Sequence, residues 1–326
     1  MSKVAVTGAA GFIGSHVCRA LVAAGYDVVG VDNFDPFYPR RIKEAAISEL
    51  KRARGFALVE CDVADVEVLQ RAIAGSDVVI HLAGRPGVRD SIAAPEFHSR
   101  LNAGGTLCAL EAARKEGVQR FVFASSSSVY GNAVDYLFRE DETAAEAISP
   151  YGASKRTAEL LCDIYSALHG IAIASLRLFS VYGPGLRPDL AIQKFSRAID
   201  SGEPLFQYGS GDSQRDYTFV SDVVRGVLAA VGWTENRSAG HEIFNLGTSR
   251  PIALSYLIRL LGDLFGRTPI IEVVAEQPGD VRRTCADIIK SKQILGYDPQ
   301  VTIEEGLPLF LEWFREQNGY TKNVAC

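Results

Sequence analysis

Val4-Ala5-Val6-Thr7-Gly8-Ala9-Ala10-Gly11-Phe12-Ile13-Gly14 reads as a strand, a glycine turn and the start of a helix, with glycines at 8, 11 and 14. Gly8 permits a tight turn, Gly11 lets backbone approach a pyrophosphate, and Gly14 allows close helix–strand packing. The N–H groups and dipole of the helix would then hold the phosphates. Asp32 lies 18 residues after Gly14, at the end of the next strand-like run. A carboxylate there accepts hydrogen bonds from ribose hydroxyls and repels a 2′-phosphate, which predicts NAD over NADP. Asp62-Val63, after a third run, suits an adenine edge; the other reading of Asp62 is a turn or helix cap.

A second group of residues could move a proton. Pro150-Tyr151-Gly152-Ala153-Ser154-Lys155 sets tyrosine and lysine four positions apart. On a helix that begins at or just before Tyr151 both point the same way. A phenol with a pKa near 10 is a poor base at neutral pH. A lysine cation one turn away, with a positive nicotinamide ring, would stabilise phenolate. Alone, the spacing also fits a packed tyrosine beside a solvated lysine. It stands with Phe123-Ala124-Ser125-Ser126-Ser127-Ser128-Val129-Tyr130-Gly131, whose Ser126 lies 25 residues ahead of Tyr151. With the glycine turn and Asp32 in the same chain, the pattern predicts a Ser–Tyr–Lys site.

These residues need a scaffold. Val4–Thr7, Asp27–Val31, 57–61, 78–82, Phe121–Ala124 and 172–176 read as strands, bounded by Gly, Asp or Ser. Ile13–Ala24, 66–74, Ala103–Glu116 and Ser154–Leu168 read as the helices between them. Such alternation predicts a doubly wound parallel sheet covered on both faces. After about residue 180 the rhythm breaks. A turn-rich segment, a helix at Ala191–Ser201, a loop at 209–213 and two further helices are expected. One piece, Glu242–Leu246, returns to the sheet. The last residues, Tyr320–Cys326, are expected to fray.

Composition narrows the partners. The chain has 326 residues, 47% hydrophobic and 22% charged, enough for a large core without disulfides or metals. Its net charge of −5 comes without a basic run, which argues against nucleic acid and a polybasic membrane anchor. No stretch approaches a membrane span, and the residues after Met1 lack the organisation of a signal peptide, so a cytoplasmic protein is expected. The six scattered cysteines form no CxxC pair and predict reduced thiols rather than a disulfide framework or metal site.

Taken in order, these motifs resemble the extended short-chain dehydrogenase/reductase family over essentially the whole chain. They are TGAAGFIG (7–14), Asp32-Asn33, Asp62-Val63, His81-Leu82-Ala83-Gly84, Asn102, SSSSVYG (125–131), PYGASK (150–155), Arg215-Asp216-Tyr217, Phe244-Asn245-Leu246-Gly247 and Pro278-Gly279-Asp280-Val281-Arg282. The resemblance implies an α/β fold: a Rossmann-type NAD domain at 1–180, with returning segments near 218–262, interleaved with a mixed α/β nucleotide-sugar lobe at 181–326. It implies NAD contacts from Gly8, Gly11, Phe12, Ile13, Gly14, Asp32, Asn33, Asp62, Val63, Leu82, Ala83 and Gly84, besides Tyr151 and Lys155. It makes Ser126 the catalytic serine, with Ser127 in reserve. Arg215 and Arg282 meet a UDP diphosphate, and Arg89 meets it or caps a loop. A homodimer is implied, through about Gly105–Glu116 and Ser154–Leu168.

Once C4 of the sugar is oxidised, its fate depends on the neighbours of Ser126. The family's dehydratases carry Asp-Glu directly after it, and its uronate decarboxylases a Glu two places on. Here Ser127 and Ser128 stand there, and neither acts as a carboxylic acid does, which favours epimerisation. Tyr182–Ala191, with Arg187-Pro188-Asp189, is similar to the uronate 4-epimerases of the family, as are 32–38, Gly87-Val88-Arg89 and Leu178-Phe179-Ser180. A guanidinium grips a carboxylate through paired charge-assisted hydrogen bonds. Arg187, with Ser180 and Ser127 or Ser128, is therefore expected to hold a C6 carboxylate. Its other reading is a structural or phosphate-binding arginine. A neutral-sugar epimerase, a decarboxylase and a non-catalytic NAD-binding protein are the rival functions.

Overall fold

The computed structural model describes residues 2–131, 137–142, 147–276 and 281–318. Pro278-Gly279-Asp280 and the expected fraying tail Tyr320–Cys326 lie outside the described residues.

The first half alternates as expected. Strands β1 (Lys3–Thr7), β2 (Asp27–Asp32), β3 (Phe56–Glu60), β4 (Val78–His81), β5 (Arg120–Ser126) and β6 (Ala172–Leu178) fall within a residue or two of the predicted runs. Between them lie α1 (Phe12–Ala23), α2 (Arg40–Ala46), α3 (Val66–Ile73), α4 (Val88–Ala93), α5 (Pro95–Ser99), α6 (Gly105–Lys115) and α7 (Pro150–His169). The expected start at Ala103 falls inside a π-helical turn, Arg100–Gly104, that runs into α6. The α7 helix opens four residues earlier than Ser154, because Ser149 caps it by accepting from the Gly152 amide and Pro150 fills the first position. It ends at Gly170, whose φ of 66° suits glycine.

After β7 (Ser180–Tyr182) come α8 (Ala191–Ser201), β8 (Leu205–Tyr208), β9 (Gln214–Phe219), α9 (Val220–Glu235), β10 (Gly240–Leu246), β11 (Pro251–Ala253), α10 (Leu254–Phe265), β12 (Ile271–Val274), α11 (Ile289–Leu295) and α12 (Ile303–Gln317). The α8 bounds are those predicted. Among the described residues four helices come after the 209–213 loop rather than two. The five short strands β7, β8, β9, β11 and β12 were not expected as strands.

Seven parallel strands form one sheet in the order β10-β6-β5-β4-β1-β2-β3. Strand residues alternate between its faces. Val4 and Val6 pack with Val17, Leu21, Val223 and Val227 under α1 and α9. Ala5 and Val79 pack with Leu69, Leu110 and Ala158 under α3, α6 and α7. The first of these cores continues without a break into the smaller sheets, β11-β9-β7 and β12-β8. Near 218–262 only α9 and β10 rejoin the large sheet, whereas α10 packs on α8 and α12. The later α11 also packs back, on α9 and β10. β1 lies between β2 and β4, so the strand order reverses there and leaves a crevice beyond the carboxyl ends of the strands.

Candidate active site

A cleft of about 1130 Å³ opens at that reversal point and runs to the smaller sheets. Its floor is made by backbone. The Gly8 amide donates to the Val31 carbonyl at 2.8 Å, and Gly8 takes a φ of 72°. A Cβ on Gly14 would stand 2.0 Å from the Gly8 carbonyl oxygen, so only glycine lets α1 sit this close to the turn. Gly11 caps α1 without a side chain, which leaves first-turn N–H groups directed at the cleft.

Asp32 ends β2 almost fully buried. Its Oδ2 accepts from the Ala10 amide at 3.0 Å and its Oδ1 from the Phe34 amide at 2.8 Å. Lys43 Nζ lies 3.6 Å from the same Oδ1, with both side chains under a tenth exposed. Sequence reasoning missed Lys43, which α2 brings in from 11 residues further on. Asn33 donates to Asp62, which also closes a turn by accepting from the Ala64 amide, so Asp62 caps a turn while facing the cleft. Phe12, Ile13, Val63, Leu82, Ala83 and Gly84 also line this half. A Cβ on Gly84 would meet Lys155 Nζ at 3.3 Å. The set fits a dinucleotide: open amides for the phosphates, and a carboxylate beside an ammonium for the ribose hydroxyls.

At the middle of the cleft the first turn of α7 sits flush on the serine turn. A Cβ on Gly152 would be 2.4 Å from the Ser128 carbonyl oxygen. This seat brings Ser126 to bear on the Tyr151 hydroxyl. Burial raises the Tyr151 pKa, while the Ser126 bond and the Arg187 guanidinium pull it back. Lys155 donates to the Ala124 carbonyl at 2.8 Å, and burial lowers its pKa to about 8. Arg187 is thus a cation that bears on the phenol from the sugar side, beyond the Lys155 ammonium one turn along α7.

The four serines separate by position. Ser125 lines the cleft floor but spends its hydroxyl on Glu159, donating to Oε1 at 2.6 Å. Ser126 faces the cleft, whereas Ser127 and Ser128 form a short helical turn and are not among the lining residues. His81 is fully buried, with Nδ1 2.7 Å from Thr7 Oγ1 and a pKa lowered to about 3 by burial.

Side chains make the far half. Ser180, Arg89, Arg187, Arg215 and Arg282 all line it. Arg187 grips Asp189 with Nε and Nη2 at 3.0 and 2.9 Å, so the expected carboxylate-binding arginine already holds a carboxylate. Arg89 stacks over Tyr208 at 4.2 Å, and Arg215 Nη1 donates to the Gln214 carbonyl at 3.0 Å. Arg85 pairs with Asp35 at 2.6 Å and lies 4.0 Å over Phe37, whose ring is 5.6 Å from the Arg187 guanidinium carbon. Asp189, Arg85, Phe37 and Tyr208 were not predicted as site residues. Asp189 had a local signal, two residues from Arg187, and Phe37 had one in the 32–38 segment.

A reversal-point cleft with a glycine turn at one end and a Ser–Tyr pair beside a buried lysine at its centre defines a Rossmann-type enzyme class built for hydride transfer. The comparisons narrow it. Residues 4–247 match the NAD dependent epimerase/dehydratase family. A UDP-glucuronate 4-epimerase of Thermodesulfobacterium geofontis is 36% identical, with 99% of each chain covered. A Bacillus cereus UDP-glucuronic acid 4-epimerase, crystallised with UDP-glucuronic acid and NAD, superposes with a TM-score of 0.91 at 34% identity, covering 97% of this chain and 99% of that one. A Thermotoga maritima UDP-glucose 4-epimerase with UDP-glucose gives a TM-score of 0.86 at 32% identity, covering 97% and 99%. The chain belongs to the NAD dependent epimerase/dehydratase family.

Proposed function

We propose that the protein is an NAD-dependent isomerase that interconverts UDP-glucuronate and UDP-galacturonate by transient oxidation at C4. NAD, when bound, supplies the hydride acceptor and the hydride that returns. Gly8, Gly11 and the first turn of α1 hold its phosphates, and Asp32 with Lys43 takes the ribose hydroxyls. Tyr151 takes the proton of the 4-hydroxyl and later gives it back. Ser126 fixes the 4-oxygen. Lys155 keeps a cation under the phenol and binds the nicotinamide ribose. Arg215 and Arg282, with Arg89 on the rim, meet the diphosphate.

One observation carries the choice of sugar: Arg187 lines the same cleft as Tyr151, and its guanidinium bears on the phenol. A guanidinium at that end of the cleft suits a carboxylate at C6, next to the reacting C4. A 4-keto uronate is a β-keto acid and loses CO₂ when its C5–C6 bond lines up with the carbonyl π-system. Holding the carboxylate off that alignment, with serine rather than glutamate at 127 and 128, lets hydride return first. The Thermotoga maritima relative and the Asp189 carboxylate on Arg187 favour a second reading, a 4-epimerase for neutral UDP-sugars.

Proton NMR of UDP-glucuronate with purified protein and no added cofactor tests the proposal. A galacturonate anomeric signal supports it. UDP-xylose or a 4-keto pentose alone would make the protein a decarboxylase, and turnover of UDP-glucose only would favour the second reading.

Assembly and location complete the proposal. Leu107 on α6, with Leu160, Ile164 and Leu168 on α7, is 40–71% exposed, an apolar face suited to a homodimer. Leu110, also on α6, is buried against the sheet and lies outside that face. No helix among the described residues is long and apolar enough to cross a membrane. The five described cysteines are unpaired, in keeping with a cytoplasmic enzyme.

A further inference from the structure

Arg187 presents a puzzle for any enzyme that must read a C6 carboxylate, since its guanidinium is already engaged. Nε and Nη2 go to Asp189, with the two side chains 19% and 30% exposed. That pairing consumes one donor edge of the guanidinium and leaves the Nη1–Nη2 edge for a second carboxylate. Asp189 itself lines the cleft. The pair therefore meets the sugar as a fork whose charge is already balanced.

Epimerisation puts an unusual demand on this grip. The hydride acceptor stays on one side of the sugar. For hydride to return to the opposite face of C4, the 4-keto ring must turn over inside the cleft. The carboxylate on C5 moves with the ring, so its contacts must be released and made again. A lone buried arginine would hold it too firmly for that.

We propose that Asp189 is an internal competitor for Arg187, which weakens the hold on the substrate carboxylate and so lets the keto-sugar rotate between the two hydride transfers. The inference rests on the uronate reading given above. Asp189 acts through Arg187 and is a positioning residue.

The test is Asp189→Asn, which keeps the shape and removes the charge. With UDP-glucuronate, KM and the calorimetric Kd should fall about fivefold, the scale of a partly exposed ion pair. The kcat should fall as well, because rotation becomes slower. The near-ultraviolet absorbance of reduced nicotinamide should rise during turnover, since the oxidised sugar waits longer before hydride returns. Asp189→Glu keeps the charge and should hold that absorbance close to the unmodified level. Unchanged absorbance and unchanged Kd in Asp189→Asn would overturn the proposal, as would Asp189→Glu behaving like Asp189→Asn. These failures are separable from failure of the uronate reading. In that case the unmodified protein itself would not epimerise UDP-glucuronate, or Arg187→Ala would weaken UDP-glucuronate and UDP-glucose equally.

Discussion

The two halves of the cleft are built by different means. In the cofactor half, backbone amides and glycines define the shape. Asp32 is fixed by main-chain N–H groups of Ala10 and Phe34. In the sugar half, long side chains from separate loops define it: Arg187 on Asp189, Arg85 on Asp35 and Phe37, Arg89 on Tyr208. Backbone-built sites need particular residues at fixed spacing, whereas side-chain sites need only that the loops converge.

The largest break in that comparison should come from Gly14→Val. The new side chain would collide with the Gly8 carbonyl, and no flexible atom is available to move. Purified protein should lack bound NAD and lose several kcal/mol of stability, about 3 or more, read from denaturant unfolding. Tyr151→Phe should leave fold and cofactor intact and lower kcat about 10³-fold, measured by single-turnover kinetics. Arg187→Ala should cut kcat/KM for UDP-glucuronate about 10²-fold, and for UDP-glucose under tenfold. Equal losses would return Arg187 to a structural role.

The smallest effect is a pH dependence. Burial depresses the Lys155 pKa to about 8, so its ammonium is present below that pH and lost above it. Activity should fall on the alkaline side as Lys155 deprotonates. Lys155→Arg, whose cation persists, should remove that limb even if the remaining rate is low. The same shift bears on stability. A depressed lysine pKa means the folded state resists the charge, so the penalty is full below about pH 8 and fades as pH rises toward the unfolded lysine value.

The contrast also explains what the sequence made legible. Strands buried on both faces, such as Val78–His81, appear as unbroken apolar runs, and each comes after a turn residue. The five later strands are three to six residues long, and β12 is mostly exposed, so no apolar run or alternation marks them. The α12 helix carries Pro308 inside it, a residue that normally argues against a helix. Gly8, Asp32, Tyr151 and Ser126 could be read because chemistry requires them at set intervals. Lys43 could not, since any loop delivering an ammonium would serve. Ser127 and Ser128 stand between these cases: adjacency to Ser126 suggested a shared role, and the short turn they form lies outside the residues that line the cleft.

Ser125, whose hydroxyl is taken up by Glu159, belongs to a buried charged knot. It donates to Glu159 on α7, which also receives Arg177 Nε and Nη2 from β6 at 2.9 Å each, with the two charged side chains 0% and 1% exposed. Removing one member would strand a charge in the interior, a loss of about 3–5 kcal/mol. Mechanically, the knot welds the strand that ends in Ser126 to the helix that bears Tyr151 and Lys155. The proton-handling groups are then an anvil that keeps its shape while the sugar turns, and the compliance that turning requires is left to the loops on the opposite wall.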